Sequence, residues 1–488
     1  MAEVSLREKT VKGIGWSAAD AFLGQGVTFI VGLILARLLS PSEYGLIGIC
    51  TIFVSILSGI VDSGFSNALI RKNNVTNADY NTMFITNMVI SVVLFAVLYF
   101  CSPLIAHFFK REELVNLVRA MGLILIFQAL SITQVTILTK RIDFKTKTKA
   151  SLISAVGSGF IGIGMALGGF GVWSLVGQQL SKQLFNTICL WFFNKWWPRF
   201  VFSAGSFRYL WGFGWKLMLS GLLNNTWSHL YQIVVGKCYS PETLGQYSKA
   251  KELAGIFSSN FTAIVQRVSY PALAEVQDDK TRMVAGYRRI IKTTMFVTVT
   301  TLISIGAVSE PLIYCLIGPK WHQAASFLPF ICLSLSLHPL HAINLNMLQV
   351  QGRSDIYLGL EIIKKIFSIG PLCLGIFVGI YWMLVGSIIT GIIAFFLNSY
   401  YTGRELNYSS WMQLKDVLPS YGVGFTIAAA VFFLKYIPIS YFVILPVQIV
   451  VGVCVMVVLC ERRKMSEYVE IKEIVVSFAL RLFKKRCL

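Results

Sequence analysis

Mostly apolar runs follow one another along the chain, near 14–36, 46–70, 82–109, 115–138, 150–168, 171–194, 209–235, 246–270, 291–317, 325–349, 357–380, 382–402, 417–435 and 439–460. Each is about 20 residues long, enough for a helix to cross a hydrocarbon layer of about 30 Å. Barrel strands would alternate polar and apolar residues over about ten positions, and these runs do not. The pattern predicts an all-α polytopic membrane protein with about 14 transmembrane helices.

Within the runs, polar positions recur at spacings of three and four, so each set lies on one helix face. Asp20, Gly24, Thr28 and Gly32 form one face. Thr51, Ser55, Ser58, Asp62 and Ser66 form another. Both return 200 positions later, as Ser220, Asn224, Ser228 and Gln232, then Lys251, Gly255, Ser258, Thr262 and Gln266. Between them, Ser40-Pro41 and Gly45 return as Ser240-Pro241 and Gly245, and Arg37 is matched by Lys237. Pro103-Leu104-Ile105 returns 208 positions on, at Pro311-Leu312-Ile313. Arg141 and Asp143 return 212 positions on, at Arg353 and Asp355.

A slowly growing offset is what loops of unequal length produce between two copies of one unit. Six helices per copy is an even number, so both copies run in the same sense. They should be related by a pseudo-twofold axis along the membrane normal, a transporter pattern. The expected division is an N-terminal six-helix lobe (1–194), an inner linker (195–208) and a C-terminal six-helix lobe (209–402). Two additional transmembrane helices (403–460) and a basic cytoplasmic tail (461–488) follow.

Composition supports the membrane reading. Of 488 residues, 55% are hydrophobic and 14% charged, against about 25% charged in soluble proteins. The ten cysteines lack CxxC pairs or metal-ligand spacing, and read as small apolar residues. The first 13 residues are polar and basic and carry no small-residue cleavage site, so no removable signal peptide is expected. The net charge of +20 raises nucleic acid as a partner, but its distribution argues against that. With the N-terminus inside, 30 of the 43 Lys and Arg fall in or beside inner segments and 7 at outer loops. This is the positive-inside asymmetry, and it places both termini in the cytoplasm.

Candidate chemistry lies in a few helices. Asp20 and Asp62 are acids within apolar runs. Each is expensive there unless it faces a cavity or partner, although Asp20 is close enough to the inner end to hydrate itself. Asn225, His229 and Gln232 share one face of the seventh helix, with Asn224, Ser228 and Tyr231 beside them. They read either as interhelical hydrogen bonding or as a hydrated wall. Lys249, Lys251 and Glu252 open the eighth helix as an interface cluster or a ligand site. Glu361, Lys364 and Lys365 in the eleventh form an internal ion pair or a cationic patch at the inner mouth. His338-Pro339, with His341 nearby, marks a kink in the tenth. No Walker A loop, HExxH, nucleophile elbow or Cys/His cluster occurs in the sequence.

Ala36-Arg37-Leu38-Leu39-Ser40-Pro41-Ser42-Glu43-Tyr44-Gly45 resembles the outer turn of bacterial polysaccharide-export flippases, the Wzx-type members of the multidrug/oligosaccharidyl-lipid/polysaccharide (MOP) superfamily. Other similar stretches are Lys140-Arg141-Ile142-Asp143-Phe144-Lys145, Gly169 through Val176, Leu244-Gly245-Gln246-Tyr247, Tyr270-Pro271 through Gln277-Asp278-Asp279, and Leu348-Gln349-Val350-Gln351-Gly352-Arg353-Ser354-Asp355. The resemblance spans roughly residues 10–460.

It implies two lobes around a V-shaped cavity in the bacterial cytoplasmic (inner) membrane. Through it an undecaprenyl-diphosphate-linked oligosaccharide would pass from the inner to the outer leaflet, as an O-antigen, capsule or exopolysaccharide unit. It implies no catalytic residues, metal or cofactor beyond a coupling ion, H⁺ or Na⁺. The implied partners are the lipid-linked oligosaccharide, membrane lipids, a polysaccharide polymerase and a chain-length regulator. Gln232 departs from the pattern, since relatives are expected to carry an acid near that position.

A diphosphate needs cations in a low-dielectric cavity, so Arg37, Lys237, Lys249, Lys251, Lys364 and Lys365 are the candidates. Sugars need amides, hydroxyls and aromatics, which the first, second, seventh and eighth helices supply. The rival reading is a cation-coupled drug or small-molecule antiporter of the same superfamily, resting on Asp20 and Asp62. A polytopic sugar-transfer enzyme is disfavoured by the short outer loops. A non-transporting envelope scaffold would not need the repeated polar faces.

Overall fold

A computed structural model describes residues 23–275, 279–350, 353–473 and 477. No strand occurs among them. The helices are α1 (Gln25–Leu38), α2 (Pro41–Asp62), α3 (Phe65–Arg71), α4 (Asn77–Phe109), α5 (Leu114–Lys140), α6 (Phe144–Leu167), α7 (Val172–Asn194), α8 (Ala204–Cys238) and α9 (Pro241–Glu275). After them come α10 (Lys280–Ala307), α11 (Ser309–Ile317), α12 (His322–Ser336), α13 (His338–Val350), α14 (Ser354–Phe367), α15 (Ile369–Phe377), α16 (Ile380–Leu406), α17 (Ser410–Phe432) and α18 (Tyr441–Arg462). Every apolar run falls on helix, several of them split in two. Among the described residues nine helical stretches are long and apolar enough to cross a membrane. The chain is a multi-pass membrane protein. The first half of the first run, with Asp20, lies outside the described residues.

Polar side chains start these helices where the pattern places the turns. Ser40 caps α2 in a reciprocal box. Its Oγ accepts from the Glu43 amide at 3.4 Å, while Glu43 Oε2 accepts from the Ser40 amide at 2.6 Å. Pro41 follows at the first helical position, where its missing N–H is not needed. Ser240 does the same for α9, accepting from the Thr243 amide at 3.1 Å. The two Ser-Pro copies therefore share their local chemistry as well as their letters.

The copies diverge further along. α2 stops at Asp62 because Ser63 and Gly64 turn left-handed, at φ 51° and 69°. At the equivalent point α9 carries Ala263 and Ile264 and runs on unbroken. Neither residue adopts that conformation cheaply.

The chain packs as two compact units, residues 1–245 and 246–488. In the first, α6 packs on α7, α4 on α5, and α8 on α2. The expected lobe boundary precedes α8, whereas packing puts α8 with the first unit. Small residues allow this close approach. A Cβ on Gly214 of α8 would lie 2.6 Å from the Ser63 carbonyl oxygen, and one on Gly64 would lie 2.4 Å from that of Gly214.

In the second unit, α10 packs on α17 and α12, and α15 on α16. Tyr287, Ile291, Met295, Ile343 and Phe395 fill its core. The buried Asn344 is held there by the Tyr287 hydroxyl at 2.8 Å. The described part of the C-terminal tail docks on α10, with Glu467 3.4 Å from Lys292 and Glu470 2.9 Å from Arg289.

At two of the prolines the carbonyl left without its helical donor finds another. Pro339 cannot donate to Leu335, and the Ser258 hydroxyl of α9 does so at 3.1 Å. The helix breaks there, between α12 and α13, as the His338-Pro339 pair predicts. Pro103 frees the Tyr99 carbonyl, which accepts from the Ser102 hydroxyl at 2.7 Å and the Arg119 guanidinium at 3.5 Å.

Candidate functional site

In the first unit the polar face of α2 meets the polar face of α8. His229 lies 3.1 Å from the Ser55 hydroxyl through Nε2 and 2.8 Å from Gln232 Oε1 through Nδ1. Asn225 lies against Gly59, close enough that a Cβ there would sit 3.1 Å from its Nδ2. From α5, Gln128 donates to the Ser58 carbonyl at 3.3 Å. Asp62 accepts from the Ser66 hydroxyl, and Ser66 is linked at 2.9 Å to Thr136 of α5.

The seam thus runs through both faces singled out from spacing, and the two satisfy each other. Asp62, Asn225, His229 and Gln232 are half-buried, while Asn224 and Ser228 are exposed. One edge of the seam is therefore exposed.

The second unit gathers the basic residues. Lys251 of α9 and Lys364 of α14 both lie within electrostatic reach of His338 on α13, and Lys364 also of His341. The two imidazoles are 6.3 Å apart. His341 is 3.5 Å from the Asn398 amide. Lys251 and Lys364 are 113 positions apart in the sequence.

The acids nearby are committed. Glu361 accepts from Lys364. Glu252 takes Lys249 at 3.0 Å, and Lys249 is 3% exposed. Lys249 is therefore buried and does not snorkel to water. Lys365 is half-buried on the same helix as Lys364. His338 and His341 are read from sequence as markers of a kink, and the structure adds them to the basic cluster.

The outer cations occupy equivalent places. Arg37 is in the last turn of α1 and Lys237 in the last turn of α8, and both are exposed. Lys237 donates to the Phe108 carbonyl at the end of α4 and sits 4.2 Å from the Phe108 ring. It holds a helix C-terminus, where a cation is favoured. Asp20 is not among the described residues.

One charged group in an apolar run was passed over in the sequence. α1, α5, α6 and α7 enclose a cavity of about 570 Å³ lined by Thr28, Lys147, Gln178, Lys182, Gln183 and Asn186, among others. Lys182 is in the middle of α7 and donates to the Thr28 hydroxyl at 3.1 Å. Gln178, Lys182 and Asn186 recur every four residues, and that spacing is the signal that would have found them.

Over residues 34–326 the chain matches the family described as polysaccharide biosynthesis protein. It is 26% identical over 358 residues to the teichuronic acid biosynthesis protein TuaB of Bacillus subtilis, covering 72% of this chain and 73% of that one. It is 24% identical over 372 residues to the succinoglycan biosynthesis transport protein ExoT of Rhizobium meliloti, covering 76% and 75%. To the lipopolysaccharide biosynthesis protein WzxC of Escherichia coli it is 23% identical over 444 residues, covering 87% and 88%.

Among solved structures the fold is similar to that of the lipid II flippase MurJ in an inward closed conformation. The TM-score is 0.70 at 15% identity, over 92% of this chain and 97% of that one. It is also similar to an inward-facing multidrug resistance MATE family transporter of the MOP superfamily. There the TM-score is 0.62 at 15% identity, over 82% and 99%.

Proposed function

Because this chain belongs to the polysaccharide biosynthesis protein family, we propose that it is a flippase for a lipid-linked oligosaccharide. It carries an undecaprenyl-diphosphate-linked O-antigen, capsule or exopolysaccharide unit from the inner to the outer leaflet of the bacterial cytoplasmic membrane, by alternating access. Relatives named for polysaccharide biosynthesis and transport support this reading, as does the fold shared with a lipid flippase.

The observation that carries the assignment to this chain is the convergence of Lys251 and Lys364 on His338. A diphosphate is an anion that must leave water, and cations in a low-dielectric site are what it needs. The amide and imidazole edge of the α2–α8 seam suits sugar hydroxyls. The prenyl chain has no need to leave the lipid.

The antiporter reading is weaker on the same grounds. It needs free acids, whereas Asp62 is bonded to a hydroxyl and Glu252 and Glu361 are paired with lysines. A coupling ion, H⁺ or Na⁺, is expected to drive the cycle. The polymerase and chain-length regulator of the same export system are the expected protein partners. Both termini are expected in the cytoplasm.

The test is complementation of a strain lacking its own polysaccharide flippase. Lys251→Ala and Lys364→Ala should reach the membrane at normal levels. Each should cut surface polysaccharide, since losing one charge-assisted contact weakens binding by about 10- to 150-fold. Normal display from the double variant would remove the cluster from the pathway.

A further inference from the structure

We propose that the cavity within the α1, α5, α6 and α7 bundle is a binding site for a phosphate-class oxyanion, held by Lys182. This inference does not depend on the transport reading. It concerns a bundle whose helices all lie in the first unit, whereas the basic cluster belongs to the second.

The starting point is the charge of Lys182. An ammonium group halfway along a helix packed in such a bundle is costly unless something compensates it. Three other lysines in or beside the apolar runs have partners within the chain. Lys249 and Lys364 each hold a glutamate, and Lys140 donates to backbone carbonyls at the end of α3. Lys182 holds a neutral hydroxyl, that of Thr28. The same cavity contains a second lysine, Lys147, and no Asp or Glu lines it among the described residues.

The rest of the lining selects the ligand. Amides of Gln178, Gln183 and Asn186 add several N–H donors from one helix, and Ser151 and Ser154 add hydroxyls from another. A phosphate group offers several acceptor oxygens around one centre, which suits donors arriving from different helices. Among the described residues no aromatic ring lines the cavity, so a sugar would find no face there to stack on. A volume of about 570 Å³ is ample for such a group with its water.

Lys147 stands at the end of the first turn of α6, four residues after Asp143, which caps that helix, and its charge adds to the preference of the cavity it lines for an anion.

The shared chemistry has two sources, free phosphate and the headgroup of an anionic lipid. Two arms separate them. The first measures equilibrium binding of radiolabelled inorganic phosphate to the purified full chain in detergent, at ionic strength matched with sodium chloride. The second measures retention of phosphatidate against phosphatidylcholine by the chain reconstituted in mixed vesicles.

Phosphate binding at one site, weakened about tenfold or more by Lys182→Gln and kept within about threefold by Lys182→Arg, supports a free oxyanion. Absence of phosphate binding, with phosphatidate retention that Lys182→Gln abolishes, supports a lipid headgroup. Asn186→Asp guards against misfolding of the Lys182 variants. It keeps the shape of the side chain, places a carboxylate in the cavity, and should abolish binding in whichever arm is positive while leaving the protein monodisperse. The proposal is overturned if neither ligand binds in a Lys182-dependent way. It is equally overturned if phosphate binds only after Asp20→Asn, which would mean that Asp20 already neutralises Lys182.

Discussion

Gly45 and Gly245, one from each copy of the repeat, are packed so closely that neither position has room for a side chain. A Cβ on Gly45 would lie 1.8 Å from the Pro241 carbonyl oxygen, and one on Gly245 would lie 1.9 Å from that of Pro41. Real atoms do not approach to these distances, so the two helix starts touch backbone to backbone. The contact is reciprocal, glycine of one copy against proline of the other. This gives the repeated Ser-Pro-x-x-x-Gly stretch a physical reason: the motif packs against itself.

Gly45→Ala and Gly245→Ala should therefore each force the α2 and α9 starts apart. The expected outcome is a lowered thermal unfolding midpoint and reduced polysaccharide display. Gly164→Ala, where a Cβ would meet nothing within 4 Å, should be silent in both assays. Equal behaviour of all three variants would remove the contact from consideration.

The Ser258 hydroxyl should matter only because of Pro339. Ser258→Ala leaves the Leu335 carbonyl without a donor inside an apolar unit, at a cost of about 1–3 kcal/mol. Pro339→Ala returns an N–H to that carbonyl. In its presence the loss caused by Ser258→Ala should fall to less than half, read as a double-mutant cycle on thermal unfolding. Additive losses would show that the hydroxyl acts elsewhere.

For the outer cations the structure separates two roles. Lys237 caps α4 through the Phe108 carbonyl, so Lys237→Met should cost stability by about 0.3–1 kcal/mol, and Lys237→Arg should restore it. If the pair also receives a diphosphate, Arg37→Ala with Lys237→Ala should stop surface polysaccharide at normal membrane levels of the protein. Normal display from that double variant would leave Lys237 a helix cap and nothing more.

Orientation is open to a direct measurement. With both termini cytoplasmic, single cysteines introduced at 140–149 on a background without native cysteines should escape a membrane-impermeant thiol reagent in intact cells. Those at 168–171 should react. The reverse pattern would invert the topology, and with it the inner and outer roles assigned to each loop.

Much of this protein was legible in its sequence. Apolar run length, the placement of Ser-Pro starts, the break at His338-Pro339 and the faces of α2 and α8 are properties of neighbours three or four residues apart. A helix expresses them wherever it packs. The charge asymmetry from which an orientation is expected is likewise a sum over local segments.

What only the tertiary structure decided are the partners, because these depend on contacts between residues far apart in the chain. That His229 would meet Ser55, that Ser258 would supply the donor Leu335 lost, and that Lys251 and Lys364 would converge on one histidine could not be read from spacing. Nor could the grouping of α8 with α2, which needs Gly64 and Gly214 to be opposite each other. Lys182 shows the distinction most plainly. In the sequence it is one lysine in an apolar run, on the helix face of Gln178 and Asn186 but with no partner from another helix to be read. The crossing of α1 and α7, which brings Thr28 to a position 154 residues away, makes it a cation facing a polar cavity in the middle of a membrane bundle.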